Sequence, residues 1–125
     1  MNKDTKFSIH SRAKSFKYAF EGIYRFFRQE HNAWLHLLAT VYVVIMAVLV
    51  GVTRVEAIAL VFAVALVWVT EMLNTCIEKV MDMISMEYDT RIKLIKDISA
   101  GAVLVAAAAA LVIGLIVFIP KFVHV

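Results

Sequence analysis

Residues 71–82 read Glu-Met-Leu-Asn-Thr-Cys-Ile-Glu-Lys-Val-Met-Asp, so Glu71, Asn74, Glu78 and Asp82 recur every third or fourth position. On a helix turning about 100° per residue, Asn74 falls at about −60° from Glu71, Glu78 at about −20° and Asp82 at about +20°. Four polar groups therefore share one narrow stripe. Two more polar clusters stand apart from it: Glu30, Asn32 and His36 upstream, and Lys96 with Asp97 downstream. Carboxylates and amides suit a hard divalent cation, whose oxygen ligands need not come from one segment. A carboxylate partly withdrawn from water holds protons more tightly, which helps it take one from an alcohol. Lysine is a natural partner for phosphate. Together these groups fit phosphoryl transfer from a nucleotide, and an ion or proton relay would use a similar set. No Gly-rich phosphate loop and no protein-kinase signature occurs.

The elements that must position these groups are membrane spans. Of 125 residues, 62% are hydrophobic and only 18% charged, too apolar for a soluble domain of this size. The length bounds the chain to a single domain. Charges crowd into 1–29 and 71–97, leaving long uncharged runs. The first run, 33–52, is broken only by His36 and covers about 30 Å of helix, one hydrocarbon thickness. The second, taken as 56–77, is uncharged only over 57–70 and must borrow length from the Glu71–Ile77 segment. The third, 98–120, carries a run of small residues that lets helices approach closely. One cysteine, Cys76, excludes an intrachain disulfide. It lies about 140° off the polar stripe, where packing is expected. The N-terminus does not read as a cleavable signal peptide, and no basic-aromatic interleaving points to nucleic acid.

Direction follows from lysine and arginine. Seven precede the first span (Lys3, Lys6, Arg12, Lys14, Lys17, Arg25, Arg28) and four lie in the second link (Lys79, Arg91, Lys93, Lys96). The first link has only Arg54 and the tail only Lys121. The N-terminus and the 79–97 segment are thus expected in the cytosol and the C-terminus outside. Within 1–32, Phe16, Phe20, Ile23 and Phe27 recur at helical spacing against Lys14, Lys17, Glu21, Arg25 and Arg28, predicting an amphipathic helix along the inner leaflet. With this topology all three polar clusters fall at the cytosolic face, while the other face offers Arg54, Glu56 and Lys121. An ion-coupling or scaffolding subunit would instead place acidic groups near the bilayer midplane.

Glu71-x-x-Asn74-Thr-x-Ile-Glu78, then Asp82, Glu87-Tyr88 and Lys96-Asp97-x-x-Ala-Gly-Ala-Val resemble the signature of the prokaryotic diacylglycerol kinase and undecaprenol kinase family. Ser15-Phe-Lys-Tyr-Ala-Phe-Glu-Gly22 and Glu30-x-Asn32-x-x-x-His36 match as well, so the resemblance covers roughly residues 12–118. It implies an all-α membrane protein, a homotrimeric bundle with active sites shared between protomers, using ATP and Mg²⁺ to phosphorylate a lipid alcohol. By the same resemblance Glu71 is the general base, with Asn74 orienting the reacting groups. Glu30 and Glu78 hold the metal. Lys96 binds phosphate beside Asp97, and Tyr18, Glu87, Tyr88 and Asp89 make further nucleotide contacts. Asn32, His36 and Asp82 stand around this set. The Glu-x-Asn-x-x-x-His element and the Ala-Gly-Ala-Val continuation resemble the undecaprenol branch more than the enterobacterial diacylglycerol branch. The resemblance thus implies undecaprenol as the substrate, giving undecaprenyl phosphate, with diacylglycerol, giving phosphatidic acid, as the alternative.

Two positions depart from the family's pattern: Cys76 stands where alanine is usual, and Asp89 where histidine is common. His36, one turn inside a span, reads equally as a helix-packing donor. Trp34 and Trp68 read as interfacial anchors or packing residues, and Arg54 and Glu56 as parts of a short external turn.

Overall fold

In the computed structural model, which describes residues 8–123, the chain is entirely α-helical: α1 (Ile9–Gln29), α2 (His31–Val50), α3 (Arg54–Ile84) and α4 (Thr90–Phe122). Lys3 and Lys6, counted above for orientation, lie outside the described residues. The last three helices are long and apolar enough to cross a membrane. Two compact units can be distinguished, Met1–Leu38 and Ala39–Val125.

In the first unit, Ser8 caps α1 by accepting from the Ser11 N–H at 3.4 Å. Helix α1 leaves Phe16, Phe20 and Ile23 exposed, an apolar row that suits a membrane surface. It stops at Glu30, whose extended backbone breaks the helix while its N–H still donates to the Phe26 carbonyl. The Ala33 N–H in turn donates to the Glu30 carbonyl, so this residue ends one helix and opens the next. Phe27 meets the Trp34 ring edge-on at 5.7 Å across that break.

In the second unit, the turn after α2 uses Gly51 at φ +71°, a left-handed conformation in which a Cβ is strained. Thr53 then starts α3 with a capping box. Its hydroxyl accepts from the Glu56 N–H at 3.2 Å, and the Glu56 carboxylate accepts from the Thr53 N–H at 2.8 Å. Helix α3 stays unbroken through the polar segment to Ile84, and Asp89 caps α4. The Trp68 indole donates to the Thr40 hydroxyl at 3.0 Å, joining α2 to α3.

Helices α3 and α4 form an antiparallel hairpin. Lys121 pairs with Glu56 at 3.0 Å at one end, and Lys96 pairs with Asp82 at 2.6 Å at the other. The buried residues of α4, Ser99, Ala106 and Val117, fall within about 20° of one another on the helical wheel and mark its seam. Small residues at such a seam let two backbones approach where lipid offers no hydrophobic drive to association. Leu60, buried on α3, lies within about 40° of Glu71, Asn74, Glu78 and Asp82 on the same wheel. Of that stripe, Asn74 lies beside Ser99 of α4 and Asp82 meets α4 through Lys96. Cys76, where packing was expected, is exposed on the single chain. An off-stripe position on a two-helix hairpin faces outward, toward lipid or a neighbouring molecule.

Candidate active site

The Glu56–Lys121 ion pair fixes one rim of the hairpin on both helices, and lengths can be measured from it. At about 1.5 Å per residue, about 30 Å of hydrocarbon is crossed near residue 76 on α3 and near residue 101 on α4. Since α3 has 31 residues and α4 has 33, both project beyond the opposite rim. Glu71 and Asn74 then stand just inside that boundary, while Glu78, Asp82, Lys96 and Asp97 stand outside it. A rim of this kind puts a partly desolvated carboxylate within reach of a membrane alcohol, and charged groups where a hydrated anion can arrive.

Asn74 is half-buried, and its side-chain carbonyl oxygen is fully buried with no donor reaching it among the described residues. It lines a hollow of about 340 Å³ between α3 and α4, with Ile77, Ile98 and Ser99 among its walls. Glu71, one turn earlier, is half-buried, whereas Glu78 is exposed. A larger hollow of about 660 Å³ between α2 and α3 lies toward the other rim and offers only hydrocarbon and Thr40. The smaller one adjoins the polar stripe of α3 at Asn74.

At the projecting end the charged groups are paired. Lys96 donates to an Asp82 carboxylate oxygen at 2.6 Å, and Lys93 pairs with Asp97 one turn on. The Lys96–Asp82 contact leaves the ammonium partly exposed, so it can exchange partners with an arriving phosphate. In the connecting loop Glu87 and Tyr88 are exposed, and the Glu87 N–H donates to the Ser85 hydroxyl. Asp89 has structural work: it accepts from the Arg91 N–H at 2.8 Å and holds the Arg91 guanidinium at 2.8 Å. Those two interactions, the side-chain one first, lower its carboxyl to a pKa of about 2. Aspartate before a helix is a capping signal readable from the Asp89-Thr90 step itself.

In the first unit, Glu30 sits half-buried at the break between α1 and α2, Asn32 is exposed in the first turn of α2, and His36 is half-buried one turn further. Tyr18 is exposed on α1. Among the described residues no three His, Cys, Asp or Glu side chains gather as a ready metal cage. Sequence reasoning overlooked Ser99, only 7% exposed on the α4 seam beside Asn74. A serine among Ile, Ala and Gly looks like helix filler until the partner helix is in place.

The sequence matches the family described as prokaryotic diacylglycerol kinase over residues 17–118. It is similar to an undecaprenol kinase of Bacillus subtilis (strain 168), with 34% identity over 120 residues, 96% of this chain and 98% of that protein. It is also similar to a diacylglycerol kinase of Synechocystis sp. (strain ATCC 27184 / PCC 6803 / Kazusa), with 35% identity over 107 residues, 85% of this chain and 61% of that protein.

Proposed function

The chain belongs to the prokaryotic diacylglycerol kinase family, and from that premise we propose that this integral membrane kinase transfers phosphate from ATP to undecaprenol. The observation that carries the reading is the one-sided distribution of chemistry on the α3–α4 hairpin. Glu71, Asn74, Glu78, Asp82, Lys96 and Asp97 cluster toward one rim, while the other holds the Glu56–Lys121 pair. Undecaprenol is preferred because the undecaprenol kinase relative matches end to end, whereas the chain spans only 61% of the diacylglycerol kinase relative. Diacylglycerol, making phosphatidic acid, is the second reading.

In the mechanism we assign, Glu71 takes the proton of the lipid hydroxyl. Its half-buried place one turn before Asn74, near the membrane boundary, supports that role. Asn74 holds the hydroxyl in line, and Lys96 leaves Asp82 to hold phosphate oxygens as charge moves to the leaving group. Asp97, Glu87, Tyr88 and Tyr18 serve nucleotide binding. Asp89 acts there only indirectly, through the start of α4 that it caps. Glu78 and Glu30 are the carboxylates we assign to Mg²⁺, and single carboxylates suit an ion that keeps its waters and phosphate ligands. Held there, Mg²⁺ would supply charge neutralisation for the transferring phosphate. The excess of lysine and arginine before α2 and between α3 and α4 supports a cytosolic N-terminus, so that the reactive rim faces cytosolic ATP. The working form is taken as a homotrimer, which would cover the apolar side chains left exposed on a single chain.

The test is direct. Purified protein is mixed with labelled ATP, Mg²⁺ and either undecaprenol or diacylglycerol in mixed micelles. Label in undecaprenyl phosphate in excess over phosphatidic acid is expected. The reverse preference replaces undecaprenol with diacylglycerol, and transfer to neither from folded protein removes the kinase reading.

A further inference from the structure

Between α2 and α3, toward the rim of the Glu56–Lys121 pair, lies the hollow of about 660 Å³ to which the proposed reaction assigns no role. Of its lining side chains only Thr40, at the deep end, is polar, and that hydroxyl already accepts from the Trp68 indole at 3.0 Å. The rest of the wall, Val43, Ala47, Leu60 and Val64 among it, is aliphatic. Nothing inside asks for a polar occupant, and burying one there without a partner is costly. Val44, Val48 and Val61 of the lining are exposed, so the hollow is an open groove rather than a sealed cavity.

Dimensions choose among hydrocarbon occupants. From Thr40 to Gly51 the groove follows α2 for about 16 Å, half of a hydrocarbon core roughly 30 Å thick and so the depth of one leaflet. Spread over that length, its volume gives a mean section of about 40 Å², half that of a helix roughly 10 Å across. A helix of a second chain is too wide to enter it; an acyl chain is not.

At the mouth stands Arg54. On the α3 wheel it falls within about 60° of the lining residues Ala57, Val61 and Ala65, and about 160° from Glu56. Glu56 is turned to α4, where it holds Lys121 at 3.0 Å, so that carboxylate faces away from the groove. Arg54 is exposed and makes no ion pair or side-chain hydrogen bond among the described residues. Helical side chains lean toward the N-terminus, which carries the guanidinium of this first-turn residue past the rim to the level of headgroup phosphates. There it can hold a phosphate with two parallel N–H donors.

We infer that this groove binds an anionic phospholipid of the leaflet on that side, one acyl chain lying between α2 and α3 and its phosphate on Arg54. In the orientation proposed above that leaflet is the outer one, and the site stands whatever alcohol the kinase accepts. The product of the proposed reaction also joins hydrocarbon to phosphate, but it is made at the other rim, whereas phospholipid is present at both.

Trp68, bonded to Thr40, reports the deep end of the groove. In a Trp34→Phe background of the full chain, its fluorescence is read in phosphatidylcholine bilayers. These hold an equal small fraction of either phosphatidylglycerol or phosphatidylcholine with brominated chains, which quench an indole on contact. Phosphatidylglycerol should quench Trp68 more, with an affinity ratio of about fivefold, the scale of one basic side chain beside an anionic lipid. Arg54→Gln should erase that preference and Arg54→Lys retain it, and in the parent it should fade at about 1 M salt. Equal quenching by the two lipids, a preference untouched by Arg54→Gln or by salt, or one lost as fully in Arg54→Lys overturns the site. Quenching by neither means that a second chain covers the groove, and overturns it too. Should Arg54→Gln fail to fold, the salt comparison on the parent decides. None of these readings requires turnover, so a failure of the kinase reading would leave this test intact.

Discussion

The proposed reaction is divided among residues by how much water each retains. Glu71 is half-buried and Glu78 exposed, though they lie two turns apart on one helix face. Both environments lie along one stripe, and the proposed mechanism uses the first for proton abstraction and the second for cation binding. Asp89 illustrates a residue whose surroundings assign it differently from its place in a motif. With both carboxylate oxygens engaged by Arg91 and the start of α4, it acts as a cap. Asp89→Ala should lower the thermal unfolding midpoint, and Asp89→Asn by less, since asparagine caps nearly as well. The pH dependence has a definite sign. Because folding lowers this carboxyl to about 2, its stabilising contribution is complete above the ordinary aspartate range, near pH 4, and fades as pH falls toward 2. Amide exchange of residues 90–93 should accelerate across that window in wild type and stay level in Asp89→Asn.

At the scale of elements, lipid makes the sequence readable and helix pairing makes it opaque. The three apolar helices and the polar stripe were legible because a bilayer leaves helices as the only economical way to satisfy the backbone, and the 3.6-residue period then fixes faces. The aromatic row of Phe16, Phe20 and Ile23 on α1 was legible for the same reason. Partner choice was not. That Lys96 meets Asp82, that Ser99 lies beside Asn74, and that Cys76 turns outward all depend on the register of α4 against α3. No periodicity within a single helix encodes that register. The turn that aligns the hairpin's neighbour, at Gly51 with φ +71°, carries its own prediction. Gly51→Ala should destabilise the folded protein by about 1 kcal/mol through left-handed backbone strain, despite open space around the new methyl. Thermal unfolding in detergent measures it, and an unchanged midpoint would show that the turn tolerates a side chain.

At the scale of the molecule, function depends on polarity across the membrane. Single cysteines at positions 78, 82 and 96, in a Cys76→Ala background, should all react with an impermeant maleimide from the cytosolic side of oriented vesicles. Cysteines at 54 and 121 should react only from the other side. Labelling of position 78 and position 96 from opposite sides would separate the carboxylate assigned to Mg²⁺ from the lysine assigned to phosphate by a bilayer. Helices α3 and α4 are both longer than a bilayer is thick, so the hairpin leaves surplus turns at one face.

The role of Glu71 tests the whole account most directly, by comparing turnover with nucleotide binding in Glu71→Gln. Phosphate transfer to the lipid alcohol should fall at least about 100-fold, the scale of a lost general base, while ATP affinity stays near that of wild type. A variant that still turns over at the wild-type rate, or one that loses ATP binding and turnover in equal measure, would contradict it.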